Sequence, residues 1–314
     1  MTTLPLGPGP EFDRIRAIAG RLGPAAAGLG DDAAVIPVGG THLVASIDCS
    51  VEGVHFRTDW MTFREIGWRA TAAALSDLAA EGAEVIGVLA TVGAGSGKRE
   101  TGHVDPVVEI MDGVAAAVAS VGGKVLGGDL VRSDKYIVDV CVLGETTRAV
   151  TRGGAKPGDG IWVTGAFGGP GAALASLMKG EKPSGPHRAR FAHPEPRIAA
   201  GRWLAGHGAH AMIDVSDGLA ADLGHLAAAS GVSVTVAAER VPCVPGVAWA
   251  AALASGEEYE LAVALPGGFG AEAEFRTATG VSLTRIGDVG AGSGVHVTHE
   301  GRSVAAPAGF DHFR

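Results

Sequence analysis

Two adjacent carboxylates, Asp31 and Asp32, follow the glycines Gly28 and Gly30 and run straight into the apolar stretch Ala33-Ala34-Val35-Ile36. Aspartate suits strands poorly, so a strand start has no need of two. The same signature returns in Ser46-Ile47-Asp48, Leu75-Ser76-Asp77, Gly127-Gly128-Asp129 and Ile213-Asp214-Val215-Ser216-Asp217. Each time an acid sits at the end of an apolar or glycine-rich run. Acids converging from such places suit hard cations, and Mg2+ is bound by carboxylates together with substrate phosphate oxygens. Asp31, Asp32, Asp48, Asp77, Asp129 and Asp214 are enough for several ions, and those ions would hold a polyphosphate. Phosphoryl transfer has that need, since its negative charge must be neutralised and its reacting groups held in line.

Taken singly, several of these residues keep a second reading. Asp77 falls on the apolar stripe of Ile66, Ala70, Ala73 and Ala74, where an unpaired charge is costly. It is either ion-paired to Arg64 or Arg69, or a ligand. Asp217 is either a helix cap or a ligand. Arg152 is either a solvated loop residue or a planar fork for phosphate. His55, between Val54 and Phe56, is structural or touches substrate. His207 and His210 lack a neighbouring carboxylate or thiol that would complete a zinc site. The run Gly93 to Arg99 looks like a phosphate loop, but Val92 stands where the first glycine belongs and Arg99 replaces the Ser/Thr. It reads as a surface loop. No Gly-x-Ser-x-Gly or Cys-His pairing suggests covalent catalysis.

A net charge of -9 argues against nucleic acid as a main partner, because phosphate backbones demand Lys and Arg. It leaves room for a nucleotide if cations supply the positive charge. The chain is 46% hydrophobic and 19% charged, which predicts a globular protein, and its 314 residues suit two domains of about 150 each. Aromatic residues are 5% of the chain, so the core must be built from Ala, Val and Leu. Cys49, Cys141 and Cys243 are odd in number and far apart, which predicts no disulfide framework and a reducing, cytoplasmic setting. Residues 1–10 have no basic segment followed by an apolar one, so no signal peptide is expected. No run of about 18 apolar residues exists, so no membrane span is expected either.

The elements that must position the acids follow from periodicity. Residues 1–10 read as loose and 11–22 as a helix. Strands are expected at 35–36 and 43–46 around the Gly39-Gly40 turn, with a long helix over 62–81 carrying Asp77. A strand at 85–92 and a helix over 105–120 follow, the latter started by Asp105-Pro106. Strands near 125–126 and at 136–143 complete a first domain, and the boundary falls near 144–151. Beyond it, a strand at 161–164 leads through a glycine-rich turn into a helix ending at 178. Residues 180–192 read as a connection and 195–205 as a helix. A strand at 211–215 carries Asp214. Ser216 or Asp217 is expected to cap a helix over 218–229, which stops at Gly231. A strand at 232–236, helices at 245–253 and near 272, strands at 261–265 and 283–286 and a last hairpin finish the chain. Strands and helices interleave in both halves, so the class is α/β (α+β).

With these residues in place, the chain resembles the thiamine-monophosphate kinase family. Its superfamily also holds aminoimidazole ribonucleotide synthetase, selenophosphate synthetase and the hydrogenase maturation factor HypE. The segments that carry the resemblance, in order, are GLGDDAAVI, SID with GVHF, LSDLAAEGAE, GGDLVRS, TRGGAKPGD, HPEPR, IDVSDGLAADLGHLA, SGEEYEL and GFDHF. A selenophosphate synthetase would carry a Cys nucleophile near its start, and the maturation factor a reactive Cys at its end. Here the first Cys is Cys49 and the last residues are Phe310 to Arg314.

The resemblance implies a two-domain PurM-like architecture, residues 1–148 and 149–314, with N-terminal mixed sheets pairing in a homodimer and ATP near the interface. It implies ATP-dependent phosphorylation of thiamine monophosphate to thiamine diphosphate with Mg2+, the last step in making that cofactor. Carried over by position, Asp31, Ser46, Ile47, Asp48, Asp77, Asp129, Asp214 and Asp217 look like Mg2+ ligands or their neighbours. Gly128, Asp129, Arg152 and Ser216 look like ATP contacts. His55, Glu257 and Phe310 look like substrate contacts, with Phe310 packing on a thiamine ring. The acceptor is a phosphate monoester whose second pKa is about 6, already ionised at neutral pH, so no residue is assigned as acid or base. The sequence departs from the family at Ile47, where many members have Thr, at Ser255, which replaces Gly, and at Glu258, which replaces Asp. Two other readings stand beside this one. One is another ATP-using member such as the aminoimidazole ribonucleotide synthetase. The other is a catalytically silent nucleotide-binding protein.

Overall fold

In the computed structural model, residues 4–95 and 104–313 are described. The N-terminal half runs α1 (Pro10–Leu22), β1 (Ala34–Val38), β2 (Thr41–Val51), α2 (Phe63–Ala80), β3 (Glu84–Ala94), α3 (Pro106–Ser120), β4 (Lys124–Arg132) and β5 (Ile137–Thr146). The C-terminal half runs β6 (Gly160–Thr164), α4 (Gly169–Met178), α5 (Gly185–Ala192), α6 (Ile198–Gly206), β7 (Ala211–Asp214), α7 (Leu219–Ser230), β8 (Ser233–Ala237), α8 (Trp249–Ala254), β9 (Leu261–Leu265), α9 (Glu272–Thr279), β10 (Leu283–Gly290), β11 (Gly294–His299) and β12 (Arg302–Val304).

Among the described residues the strands form two sheets, in the orders β1-β2-β5-β3-β4 and β12-β11-β8-β10-β6-β9-β7. The first is antiparallel except where β3 pairs with β4, the two joined by the α3 crossover that a parallel pair requires. In the second, β8 and β11 are the parallel pair. The fold is the two-part α/β architecture of the PurM-like superfamily. Only Gly93, Ala94 and Gly95 of the phosphate-loop look-alike fall within the described residues, the first two ending β3; the remainder, including Lys98 and Arg99, lies outside them.

Helix α2 is the beam between the halves. Thr62 starts it with a reciprocal capping box to Glu65, and burial extends around nearly its whole circumference. Alanines and glycines let its neighbours approach the backbone itself. A Cβ at Gly67 would overlap the Ile110 carbonyl of α3, and one at Gly113 the Arg64 carbonyl of α2. From the other side, a Cβ at Gly201 of α6 would overlap the Ala79 carbonyl. One core cluster therefore runs from Val88 and Val140 of the first sheet through Leu75 and Leu78 of α2 to Phe191, Leu204 and Phe275 of the second half. A second cluster, including Ile213, Leu223 and Val236, lies wholly in the C-terminal half. Opposite α2 and α3, the outer face of the first sheet is bare. Ile47 is 66% and Leu130 68% exposed there, and every residue of β4 is exposed.

Three expectations are corrected. Residues 185–192 form α5, not a plain connection: Ser184 accepts the His187 N–H as an N-cap, and a proline sits in the first turn. Helix α8 begins at Trp249 rather than Pro245. Neither Ser216 nor Asp217 caps α7. Its N-cap is Gly218, and Asp222 reaches back to accept the N–H groups of Asp217 and Gly218. Both earlier residues are thereby free to face elsewhere.

The close crossing of α2 and α3 yields a stability expectation. Gly67→Ala should destabilise the protein by about 1–3 kcal/mol, the usual cost of overpacking. Gly20→Ala, in α1 with open space around it, should be neutral or slightly stabilising. Urea midpoints of the two variants, if equal, would show that α3 does not rest on the α2 backbone.

Candidate active site

A cleft of about 640 Å³ opens between the halves. Its walls come from the end of β2, the C-terminal part of α2, the turn after β7, the 255–259 loop and the 308–312 tail. Eleven of the candidate site residues singled out from sequence line it: Asp32, Ser46, Ile47, Asp48, His55, Asp77, Asp214, Ser216, Asp217, Glu257 and Phe310.

The floor is three carboxylates. One oxygen each of Asp32, Asp77 and Asp214 lies within 4.8 Å of the others. Asp77 takes the Ser46 hydroxyl at 2.5 Å and pairs with neither Arg64 nor Arg69; the latter pairs with Glu257. The ion-pair reading of Asp77 is thus replaced by a carboxylate cluster. Burial, then the charge of Asp32, pushes Asp214 up to about 8. Burial, then Asp214 and Asp32, holds Asp77 well above the carboxylate range. Burial raises Asp48, and burial with Glu11 pushes Asp217 up to about 6.

Asp31 and Arg152 lie beside this floor. The Arg152 side chain donates to Asp32 Oδ1 at 2.5 Å, and its backbone N–H donates to Asp31 Oδ1 at 3.0 Å. Arg152 is therefore a buried partner of the acids rather than a solvated loop residue. Burial, then Asp32, pushes Asp31 up to about 6. Asp32 Oδ2 is buried with no hydrogen-bond partner among the described residues. An oxygen-only donor set with an orphaned carboxylate oxygen and like charges crowded together fits a hard divalent cation, the chemistry of Mg2+ sites.

At the mouth, His55 Nδ1 accepts the Val51 N–H at 3.0 Å, which leaves Nε2 carrying the proton of a neutral ring. Burial, then His312, keeps its pKa below the usual value. Phe310 stands edge-on to His312 at 4.9 Å, and its N–H is held by the Asp217 carbonyl at 2.9 Å. Glu257 adopts φ +58° and Tyr259 φ +52°, a left-handed pair that non-glycine residues rarely take. The strain is held by N–H bonds from Glu257 to the Ser216 carbonyl and from Tyr259 to that of Val215. Glu258 and Glu260 face away, into a buried network with Arg190 and Arg197. Glu258 accepts the Gly168 N–H before α4, so its longer side chain is used on the far side of the loop from the cleft.

Gly128 and Asp129 are not brought to the cleft. Register places Asp129 beside Thr91, Thr91 beside Asp139, and Asp139 beside Cys49. That row lies on the bare face of the sheet, whereas Asp48 belongs to the adjacent row with Val140, Ala90 and Gly128. Asp129 is three strands from β2, about 14 Å at the usual strand spacing. Ile47 alternates to the bare face as well, so only its backbone can join Ser46 and Asp48. Sequence reasoning missed His312 and Glu81, and offered Arg69 to Asp77 where the structure gives it to Glu257. His312 had a signal in the terminal GFDHF run; acids and arginines on a helix such as α2 are too common to stand out.

Stability of the metal-free protein should fall with rising pH. Each raised acid binds its proton more tightly folded than unfolded, so its contribution is complete below 3.8 and is lost as pH rises through the folded value, about 6 for Asp31 and Asp217 and about 8 for Asp214. His225, pushed down to about 4 by burial, works oppositely up to 6.5, so the decline should be clearest from pH 6.5 to 8. Urea midpoints measured in chelator should drop across that window, and less so in Asp214→Asn. A level or rising midpoint in the native chain would contradict the crowding of ionised acids.

The chain is similar to known proteins along most of its length. The model for AIR synthase related protein, N-terminal domain, matches residues 30–146, and that for the C-terminal domain matches residues 156–300. The thiamine-monophosphate kinase of Caulobacter vibrioides is 36% identical over 322 residues, covering 95% of this chain and 89% of the relative. That of Mycobacterium tuberculosis is 36% identical over 247 residues, covering 77% and 73%. Among solved structures, AaThiL complexed with AMPPCP and TMP superposes with a TM-score of 0.84 at 30% identity, covering 96% of this chain and 97% of that one. HypE in its complex with HypF, at 19% identity and a TM-score of 0.76, shares the fold. The chain belongs to the thiamine-monophosphate kinase family.

Proposed function

We propose that this protein transfers the terminal phosphoryl group of ATP to thiamine monophosphate, giving thiamine diphosphate and ADP, the last step of making that cofactor. The observation that carries the reading is the match over 96% of the chain to a relative bound to AMPPCP and TMP. The cleft supplies chemistry to fit. Asp32, Asp48, Asp77, Asp214 and Asp217, with Asp31 beside them and with Ser46 and the Ile47 backbone, would hold several Mg2+ ions. When bound, these ions neutralise phosphate charge and align donor and acceptor.

The chain's own residues do the rest. Arg152 and Ser216 contact the nucleotide, Arg152 kept charged and aimed by Asp32. His55, neutral and a donor through Nε2, faces the acceptor with Glu257 and Phe310. Transfer is by direct in-line attack of an acceptor already ionised, so no acid or base is required. Residues 1–148 carry the pairing sheet and most ion ligands, and residues 149–314 close the cleft.

Gly128 and Asp129 enter this scheme only through a second copy of the chain. The bare apolar face of the first sheet and its exposed edge strand β4 support a homodimer, since such faces are rarely left to water. In that dimer Asp129 serves the site of the other copy. The setting is cytoplasmic, in keeping with the three free cysteines. Among the described residues no helix is long and apolar enough to cross a membrane.

Purified protein given ATP, Mg2+ and thiamine monophosphate should form thiamine diphosphate and ADP in equal amounts, and chelator should stop both. Asp214→Asn should lower kcat by about 100-fold or more, the scale for losing one electrostatic stabiliser of the transition state. ATP turnover with aminoimidazole precursors alone would move the protein to the purine branch. For the dimer, mixing inactive Asp129→Ala with inactive Asp214→Ala should restore activity toward about a quarter of wild type, as random pairing in a two-fold dimer requires. A mixture that stays inactive after subunit exchange would place Asp129 outside the partner's site.

A further inference from the structure

Beside the cleft floor lies a second carboxylate group that includes a residue with no place in the scheme above. Glu81 caps the C-terminus of α2, four residues after Asp77, and its N–H bonds the Asp77 carbonyl at 3.1 Å. It is completely buried, and neither carboxylate oxygen has a hydrogen-bond partner among the described residues. One of its oxygens lies within 4.8 Å of an oxygen of Asp31 and one of Asp32. Asp31 Oδ1 takes both of that residue's backbone donors, Asp32 N–H and Arg152 N–H. Asp32 commits Oδ1 to Arg152 and leaves Oδ2 orphaned.

A buried carboxylate without a donor is among the costliest arrangements a core can hold. An ordinary core would place a hydroxyl, an amide or an apolar side chain at position 81. Three carboxylates against the single Arg152 guanidinium leave two negative charges, the complement of one divalent cation. The same accounting over Asp31, Asp32, Glu81, Asp77 and Asp214 leaves four, the complement of two. Asp32 belongs to both triads, and its free oxygen is of the kind that a bridging carboxylate uses.

We propose that Asp31, Asp32 and Glu81 form a divalent-cation site of their own, adjoining the Asp32–Asp77–Asp214 floor and bridged to it by Asp32. It takes a hard dication, Mg2+ or Mn2+, and it ties the 31–32 turn, the end of α2 and the Arg152 loop together. The proposal rests on the divalent-cation reading of the cleft and adds a ligand, Glu81, that does not line it.

The test is Mn2+ binding to nucleotide-free protein, followed by equilibrium dialysis and electron paramagnetic resonance. Wild type should bind a close Mn2+ pair whose spectrum shows spin coupling through the shared carboxylate. Glu81→Gln keeps the shape and removes the charge; it should lose one Mn2+ per chain, abolish the coupling and shrink the thermal stabilisation by Mn2+. Asp77→Asn should lose the cleft ion and keep the one at Glu81. Unchanged Mn2+ stoichiometry and affinity in Glu81→Gln would overturn the site and leave a shared proton at Glu81. If that variant misfolds, Glu81→Met, which replaces the carboxylate by an apolar chain of similar volume, decides in its place: unchanged Mn2+ stoichiometry there overturns the site, because wild-type coupling alone could come from ions within the cleft. Failure of the cleft reading is seen separately, as Asp77→Asn retaining all of its Mn2+.

Discussion

Like charges buried together are the constraint on which this structure depends. Asp32, Asp77 and Asp214 come from three separate parts of the chain and meet where water is largely excluded. In such a place each ionised group destabilises the next; among the described residues Arg152 ion-pairs with Asp32, and the Ser46 hydroxyl donates to Asp77. A fold keeps such an arrangement when its energy is returned by something that binds there. The apo chain therefore stores a binding site as a local instability. The surrounding architecture, a helix buried on nearly every side and two sheets clasping it, supplies the rigidity to hold the acids in place.

Helix α2 links fold and function most directly. Its capping box fixes where it starts, its small residues set how closely α3 and α6 approach, and its last turn delivers Asp77 and Glu81. The same alanines that let neighbours pack against its backbone leave no bulk near the floor. Stability and site geometry are thus set by one choice of residue size. The 255–259 loop adds a second constraint. Two left-handed residues turn Glu257 to the cleft while Glu258 and Glu260 anchor the loop from behind.

The acids were legible in the sequence because Asp is the wrong residue for the ends of apolar strands, and a wrong residue in a repeated place signals use. The Asp105-Pro106 start of α3 was legible from local chemistry as well. What stayed hidden was non-local. Strand β5 inserts between β2 and β3, so Asp129 ends up across the sheet from Asp48, and no periodicity reveals strand order. The cap of α7 comes from Asp222 inside the helix, which displaced the simpler reading of Asp217. Glu81 looked like an ordinary acid at a helix end; only its burial sets it apart. Helix α5 was passed over because basic residues and prolines obscured the Ser184 cap.

The contact of Gly201 on the Ala79 backbone has a mechanical meaning. At Gly201 no side chain separates α6 from α2, so at that point there is no compressible layer in which one half could slide against the other. Hinge closure, the common way for two-part enzymes to envelop a nucleotide, is opposed by this contact. Shielding the reacting phosphates from solvent falls to small pieces instead: the strained 255–259 loop and the tail hung by Phe310 from the Asp217 carbonyl. Such parts rearrange faster than whole domains, and their adjustment leaves the acid floor undisturbed.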